Sequence, residues 1–420
     1  MKLHIVVATL MMVAGLTLND WMPTGLLDDI GALGNSDRRN AVRGLSVFAL
    51  VGAVLLLVLQ DWMSRNIGGL IALSISTLVS LLLFFAVDLY LSKQALRAAV
   101  VRQSMSNVHA PDELLGWRPA AGTTGHHEKF GSFAVDYEID PQGRKAIANR
   151  GPAQLRIFIL GDSYTFGHGV KNADTYANIM AREYLSDSTH VFNLGVLGYG
   201  IVQMFGRFLE IEAQLKRDDI VLFAPTSQDL KRNIKDFVFP SKLIFGDRVD
   251  FGKRYPYYHN GGLESVELAT PWNDIKALFF NGRWSKGVFR FAHSAIVSPP
   301  TTVEAKEMIA LMRRVARKRG ARFLLVFLPQ TKERRRNTYE EDVSSFDFRN
   351  VMRFFPTDEA ELKALRFATD SHWNRAGHAV AARALVSTLL TEGLITPNQL
   401  KTSVQLSPTS EIYTEPLLKP

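Results

Sequence analysis

A largely apolar segment, Leu155 to Leu160, runs directly into Gly161-Asp162-Ser163, and this junction constrains the fold more than any other feature. A short apolar run that ends in a glycine is typical of a buried β-strand. The junction therefore places a serine hydroxyl at the carboxyl end of a strand. In open α/β sheets, that end of the strands is where ligands bind.

Strand and helix patterns alternate through the rest of the chain. Further strand candidates cover residues 190–194, 220–224 and 322–328, and helical patterns cover 173–185, 201–215, 303–319 and 376–390. Such alternation predicts a mostly parallel sheet with right-handed crossovers. We therefore predict an α/β domain over residues 151–396.

A candidate base for the serine lies far downstream, in an Asp-Ser-His-Trp-Asn segment that contains Asp370 and His372. A serine, an acid and a histidine in separate segments can form an acyl-transfer triad, here in the order Ser163, Asp370, His372. Asp370 would orient His372, which would take the proton of Ser163. Two simpler interpretations stay open. The Gly-Asp-Ser tripeptide is also compatible with an ordinary turn, and Asp370, Ser371 or Asn374 with a helix cap.

Two further strand ends offer donors for the oxyanion of a tetrahedral intermediate. Gly195 follows the second strand candidate and Gln228 follows the third. Such an intermediate needs more than one hydrogen-bond donor. We expect the N–H groups of Ser163 and Gly195 and the side-chain amide of Gln228 to supply them. Turn formation and helix capping are the alternatives for Gly195 and Gln228.

Composition excludes several classes of site. The chain has no cysteine, so it contains no disulfide, thiolate metal site or cysteine nucleophile. His126, His127 and His168 have no carboxylate at metal-ligand spacing, and we interpret them as non-catalytic. We predict no metal and no organic cofactor.

The net charge of +8 accompanies no nucleic-acid-binding motif, so nucleic acid is not an expected partner. Basic clusters at 313–322 and 332–336 indicate solvated surfaces, with anionic lipid or acidic glycan as the alternative ligand.

The first hundred residues differ in composition from the rest. Apolar runs cover residues 3–18, 44–59 and 68–91. A bilayer span needs about 17 to 25 apolar residues. We predict that residues 1–103 form a membrane anchor with two or three transmembrane helices, the first run being the shortest. Buried helices of a soluble domain are the alternative.

Three other segments break the α/β pattern. Residues 104–150 contain scattered glycine, proline and histidine, and we interpret them as a linker and lead-in. Residues 237–298 are rich in aromatic residues and glycine, and their length predicts a lid over the site. We predict that residues 397–420 form a flexible tail.

The motifs resemble those of the SGNH/GDSL hydrolases, in the bacterial subgroup with an N-terminal membrane anchor. The Gly-Asp-Ser of Ser163 resembles the nucleophile block, and Gly195 resembles the glycine of the second block. Gln228 and Asp229 stand where the family usually has Asn-Asp. The segment around His372 resembles the last block, in the Asp-x-His form shared with acetyltransferase-like members of polysaccharide systems. The likeness extends over residues 114–392.

This resemblance implies a flavodoxin-like three-layer α/β/α domain and a serine esterase or O-acyltransferase that acts on oxygen esters. The substrate class it implies is an ester-bearing small molecule or glycan of the cell envelope. The expected partners are the lipid bilayer and the proteins of a polysaccharide system. If the longer Gln228 amide misses the oxyanion, the rate should fall about 100- to 1,000-fold.

Two features of the sequence predict opposite orientations of the catalytic domain in the membrane. The resemblance implies a multi-pass inner-membrane protein with an extracytoplasmic catalytic domain. Positive-inside counting places that domain in the cytoplasm. The residues that decide the count are Arg38, Arg39, Arg43, Lys93, Arg97 and Arg102.

Two other functions remain open. The domain is also compatible with a catalytically weak glycan-binding or assembly subunit, in which the aromatic segment serves as a stacking platform. The third possibility is a component of a membrane complex whose α/β domain acts as a scaffold.

Overall fold

A computed structural model describes residues 103–232, 254–259, 261–267, 300–330 and 344–404. The predicted membrane anchor, most of the predicted lid and the end of the tail lie outside these ranges. Within the ranges, no helix has the length and apolar composition that a bilayer crossing requires.

The described residues contain twelve strands and six α-helices. The strands are β1 (Gln103–Ser106), β2 (His109–Asp112), β3 (Gly116–Pro119), β4 (Thr124–Lys129), β5 (Phe133–Glu138), β6 (Leu155–Leu160), β7 (Thr189–Asn193), β8 (Ile220–Phe223), β9 (Arg254–His259), β10 (Gly262–Glu267), β11 (Arg322–Phe327) and β12 (Arg349–Asn350). The helices are α1 (Ser163–Phe166), α2 (Tyr176–Ile179), α3 (Ile201–Ile211), α4 (Thr302–Lys318), α5 (Glu359–Ala364) and α6 (Arg375–Thr391). A π-helical turn, Met180–Tyr184, extends α2, and a 3₁₀ turn, Glu212–Gln214, extends α3.

The central sheet has five parallel strands in the order β12-β11-β8-β6-β7. Counted from β6 as the first strand, this is the order 2-1-3-4-5 of flavodoxin-like sheets. The predicted α/β class with a mostly parallel sheet is therefore confirmed. β6 lies between β7 and β8, which puts its carboxyl end at the point where the strand order reverses.

Both faces of the central sheet are covered, which explains why its strands are apolar runs rather than alternating patterns. On β6, Phe158 and Leu160 belong to one core, which includes residues of α3 and α4. Ile157 and Ile159 belong to a second core, which includes residues of α2 and α6. Each such buried side chain contributes about 1.5 to 3 kcal/mol relative to an exposed one.

The α4 helix shows how the sequence sets these layers. Thr301 caps its first turn, and the Glu304 carboxylate accepts a hydrogen bond from the backbone N–H of Thr301 at 2.7 Å. One face of α4 is buried, including Met308 and Met312. The basic cluster on its other side is largely exposed, as a solvated helix face requires.

Residues 104–150 are not an irregular linker. Strands β1, β4 and β5 form an antiparallel sheet, and β2 pairs with β3. Trp117 and Tyr137 are fully buried in the same core as α3. The Trp117 indole donates to the carbonyl of Leu197 at 3.0 Å, and the Tyr199 hydroxyl donates to the carbonyl of Trp117. The sequence did not reveal β2, β3 and β4 because they carry His, Gly or Pro instead of a regular apolar alternation. In β5, the alternating Val135 and Tyr137 are a strand signal that the linker interpretation overlooked.

Parts of the predicted lid and tail are also ordered into defined structure. Within residues 237–298, β9 and β10 form an antiparallel hairpin. Its Tyr258 packs edge-on against Phe205 of α3, with ring centroids 5.9 Å apart. At the start of the tail, Leu400 forms a bridge with Leu185, so this part packs on the α/β domain.

Candidate active site

Ser163 is the first residue of α1, directly after the turn that leaves β6. Asp162 caps this helix by accepting a hydrogen bond from the N–H of Tyr164 at 2.9 Å. Gly161 is required by close packing, because a Cβ there would lie 1.9 Å from Oγ1 of Thr165 and 2.8 Å from the carbonyl oxygen of Ala224. The Gly-Asp-Ser segment is therefore a tight strand-to-helix turn that also presents the Ser163 side chain.

His372 lies in the short connection between α5 and α6. Asn374 ends this connection as the N-cap of α6, where its side chain accepts from the N–H groups of Ala376 and Gly377. The Asn374 amide also donates to the carbonyl of Ala364 at 2.8 Å. The capping interpretation is thus correct for Asn374, and the cap fixes the backbone two residues after His372.

The structure brings the three residues of the predicted triad together. Oγ of Ser163 lies 2.8 Å from Nε2 of His372, across a separation of 209 positions in the chain. Nδ1 of His372 lies 2.6 Å from Oδ1 of Asp370. With Nδ1–H donating to Asp370, Nε2 is left to accept the proton of Ser163. This geometry is suited to general-base activation of a serine.

Asp370 is held in its ionised form. Burial would raise the pKa of this carboxyl, but the contacts with His168 and His372 outweigh burial and hold the pKa well below its ordinary value. Oδ1 also accepts the backbone N–H of His372 at 2.9 Å. A charged carboxylate beside Nδ1 stabilises the imidazolium that proton transfer creates.

His168, interpreted from the sequence as non-catalytic, lies beside the triad. Its ring stacks on that of His372, with centroids 4.0 Å apart and planes inclined by 22°. Its Nε2 lies 3.5 Å from Oδ2 of Asp370, which is long for a hydrogen bond. Burial, together with the charge of His372, lowers the pKa of His168 to about 4. His168 is therefore neutral near pH 7. Its place in the loop just after α1 was the only cue in the sequence.

Lys129 also reaches the site, and nothing in the sequence indicated it. Its Nζ donates to Oδ2 of Asp370 at 2.6 Å. Lys129 ends β4, in the segment interpreted as a linker. A lysine in a polar segment gives no functional signal until the fold places it next to a carboxylate.

His168, Asp370 and His372 have ligand atoms within 4.8 Å of one another, a spacing at which three side chains can hold a metal ion. The two imidazoles are nearly parallel and stacked, so one ion cannot lie in the planes of both rings. The ammonium of Lys129 also occupies Oδ2 of Asp370. The arrangement fits a hydrogen-bonded triad better than a metal site.

Two of the predicted oxyanion donors, Gly195 and Gln228, lie in the loops after β7 and β8. The N–H of Gly195 donates to Oδ1 of Asn193 at 3.0 Å. A Cβ at Gly195 would lie 2.3 Å from the backbone N of Phe166, so this glycine permits close packing of the loop after β7 on α1. The side chain of Gln228 is exposed, in the 3₁₀ turn Ser227–Lys231. The Gly195 N–H is therefore engaged in a local hydrogen bond, whereas the Gln228 amide is open to solvent.

A buried acidic pair lies beside the serine. Oδ2 of Asp162 is 3.3 Å from Oγ of Ser163. Arg232 lies between the two carboxylates, with an N–O distance of 3.4 Å to Asp162 and 2.7 Å to Asp229. Burial, followed by the charge of Asp162, raises the pKa of Asp229 well above its ordinary value. Arg232 thus partly neutralises two acids that are otherwise shielded from water.

Aromatic packing fixes the histidine loop relative to α1. The Tyr164 ring lies 5.0 Å from that of His372, and the Tyr164 hydroxyl donates to the carbonyl of Ser371 at 3.2 Å. Trp373, which is buried, packs edge-on against Tyr164 with centroids 4.8 Å apart. The two segments of the triad are therefore joined by contacts beyond the Ser163–His372 pair.

Comparison with known proteins gives structural but no sequence matches. No protein-family model matches the chain, and no curated protein matches it. A member of the lipolytic GDSL family from Veillonella parvula is 10% identical, with a TM-score of 0.30, and the match covers 55% of this chain and 96% of that one. A lipolytic GDSL-family protein from Desulfitobacterium hafniense is 13% identical, with a TM-score of 0.29, and covers 55% and 98%.

A third solved structure is LAE5, described as an α/β hydrolase enzyme from the metagenome of Lake Arreo, Spain. It is 19% identical, with a TM-score of 0.24, and the match covers 59% of this chain and 99% of that chain. The first two matches are to the family that the motifs resemble. The identities and TM-scores of these matches are too low to establish the function of this chain.

Proposed function

We propose that this protein is a serine esterase or O-acyltransferase that acts on oxygen esters. The observation that carries the proposal is the continuous chain of contacts from Ser163 to His372, at 2.8 Å, and from His372 to Asp370, at 2.6 Å. Both distances lie within the range of hydrogen bonds that a general base needs. The ionised state of Asp370 suits its role as the orienting acid.

The proposed reaction has two acyl-transfer steps. Oγ of Ser163 attacks the ester carbonyl while Nε2 of His372 takes its proton. The imidazolium then gives that proton to the leaving alcohol, and an acyl-serine remains. In the second step, water or a sugar hydroxyl loses a proton to His372 and attacks the acyl group, which regenerates Ser163. General-base assistance of this kind contributes about 100- to 10,000-fold in rate.

Stabilisation of the oxyanion is the least complete part of the proposed site. The backbone N–H of Ser163 is the first proposed donor, because Ser163 starts α1 and its N–H is not used within the helix. Gly195 acts as a donor once its N–H leaves Oδ1 of Asn193, and the exposed amide of Gln228 is the third proposed donor. Catalytic hydrogen bonds do often tighten only in the substrate complex.

The proposed substrate is an acylated or acetylated carbohydrate, or another ester of the cell envelope. The resemblance to acetyltransferase-like members of polysaccharide systems and the three N-terminal apolar runs support this. We place the protein at the inner membrane as a multi-pass protein with an extracytoplasmic domain. Its proposed partners are the bilayer and other proteins of a polysaccharide system.

A second candidate function is that of a catalytically weak glycan-binding or assembly subunit. The observation in its favour is the state of the oxyanion donors: the Gly195 N–H is bonded to Asn193, and Gln228 is exposed. This candidate predicts binding of a glycan without turnover of short acyl esters or acetylated glycans by the unmutated protein.

Labelling with a fluorophosphonate tests the proposed function, because the probe reacts with activated serines. The full-length protein should be labelled, and Ser163→Ala should abolish the label. Ser345→Ala, at an exposed serine outside the site, is the matched control and should label normally. Absence of label in the wild type, or its persistence in Ser163→Ala, would rule out an activated Ser163.

The same label reports the side of the membrane. A membrane-impermeant probe should react in intact cells with an opened outer membrane if the domain is extracytoplasmic. Reaction only after lysis would place the domain in the cytoplasm, as the positive-inside count indicates.

A further inference from the structure

Both oxygens of Asp370 have partners, and they come from different parts of the fold. Oδ1 faces His372, through the backbone N–H at 2.9 Å and Nδ1 at 2.6 Å. Oδ2 accepts from Nζ of Lys129 at 2.6 Å. The Asp370 side chain is 9% exposed and that of Lys129 is 26% exposed, so the ion pair is only partly screened by water.

The second oxygen matters because an aspartate does not fix its own carboxylate. The terminal torsion of Asp is broad, so the group can rotate about its Cβ–Cγ bond at small cost. Rotation would move Oδ1 off Nδ1 of His372. A charge-assisted hydrogen bond on Oδ2, about twice as strong as a neutral one, opposes this rotation.

We propose that Lys129 is a positioning residue of the active site: its ammonium holds Oδ2 of Asp370 so that Oδ1 stays on Nδ1 of His372. This inference rests on the proposed function. It makes the antiparallel sheet of β1, β4 and β5, which is separate from the central sheet, a necessary part of the site.

The backbone of Lys129 is fixed by its pairing with two neighbouring strands. It is the last residue of β4, where it pairs with Phe133 of β5 and with Gln103 of β1. The carbonyl of Lys129 accepts the N–H of Ser132 at 2.9 Å, which closes the turn. Phe133 packs edge-on against His168, with centroids 5.2 Å apart, so the hairpin end is in contact with the loop next to His372.

The charge of Lys129 also bears on the pH dependence of the reaction. When His372 takes the proton of Ser163, it becomes a cation close to the Lys129 ammonium. Removal of that ammonium should favour the imidazolium and shift the acidic limb of the rate profile to higher pH. The other titratable groups around His372 are Asp370, Tyr164 and the buried histidines His127, His168 and His378.

The test compares Lys129→Met, which keeps length but removes the charge, with Lys129→Arg, which restores it. Lys171→Met at an exposed lysine is the matched control. One readout is the far-downfield proton resonance of the His372 Nδ1–H in the full-length protein, assigned by its loss in His372→Gln. The other is the pH profile of kcat and KM for p-nitrophenyl acetate.

Lys129→Met should shift or broaden the resonance, lower kcat about 10- to 100-fold with little change in KM, and move the acidic limb to higher pH. Lys129→Arg should recover most of both readouts. An unchanged resonance and an unchanged pH profile in Lys129→Met would overturn the proposal. An inactive wild type would refute the proposed function. Because the resonance is measured without turnover, it would still show whether Lys129 positions Asp370.

Discussion

The ammonium of Lys145 is buried and donates to the carbonyl of Gly167 at 3.0 Å. It donates to the carbonyl of Val170 as well, at 2.9 Å, and lies over the ring of Tyr137 at 4.1 Å. Burial lowers the pKa of Lys145 well below its ordinary value, against an opposing effect of the Asp174 charge. Lys145 thus fixes both ends of the loop that carries His168.

Lys145→Met should therefore weaken both the fold and the site. The carbonyl of Val170 loses the Lys145 donor, and the carbonyl of Gly167 keeps only the N–H of Val170 at 3.3 Å. An unsatisfied buried group costs about 1 to 3 kcal/mol. The expected result is a lower free energy of unfolding, measured by urea titration, together with a lower kcat. Lys216→Met, at an exposed lysine, is the control. Equal stability and equal kcat in the two variants would contradict the assigned role of Lys145.

Buried histidines should make the protein sensitive to acid. Burial lowers the pKa of His109 and of His378 to about 3, and that of His168 to about 4. In the unfolded chain these groups titrate at about 6.5. Between these values the unfolded state binds more protons. The stability is therefore fully present above about pH 6.5 and is lost as the pH falls toward the folded pKa values.

Each such histidine adds up to about 1.4 kcal/mol per pH unit to the slope of stability against pH. His378 accepts the N–H of Tyr176 at Nδ1, and glutamine can supply an acceptor in its place. His378→Gln should flatten the slope by about that amount between roughly pH 4 and 6. Ser345→Ala, at an exposed residue that does not titrate, should leave the slope unchanged. Parallel curves for wild type and His378→Gln would count against this account.

The α/β domain was largely predictable from the sequence because its signals are local. β6 has the predicted bounds, and α4 and α6 begin and end within a residue of the predicted ones. Apolar runs and helical periodicity are set by burial on the two faces of one sheet. The pairing of Ser163 with His372 followed from matching two motifs rather than from any local pattern.

The contribution of the N-terminal sheet could not be predicted in this way. Lys129 and Asp370 are 241 positions apart, and neither the strand of Lys129 nor its charge distinguishes it from other lysines. His168 likewise becomes part of the site only through its ring stack on His372. Such contacts arise from tertiary packing, which periodicity does not report.

The stack of His168 on His372 gives a further prediction. Aromatic pairs of this kind contribute about 0.5 to 1.5 kcal/mol. His168→Phe keeps an aromatic ring beside His372 and should retain kcat within about threefold, whereas His168→Ala should lose up to about tenfold. The two variants are compared by kcat on the same short acyl ester. Equal losses of kcat in the two variants would show that Nε2 of His168, and not the stacked ring, supports catalysis.

The sequence predicts the same role, that of an oxyanion donor, for Gln228 and Gly195, but their surroundings predict different effects of substitution. Because the Gln228 side chain is exposed, Gln228→Ala should change kcat by less than about threefold, whereas loss of a functioning oxyanion donor costs about 100- to 1,000-fold. Gly195→Ala puts a methyl group 2.3 Å from the backbone N of Phe166, which forces α1 to move. It should therefore lower the free energy of unfolding by about 1 to 3 kcal/mol and lower kcat together with it. A 100-fold loss in Gln228→Ala with normal stability would instead show that this amide turns inward in the substrate complex.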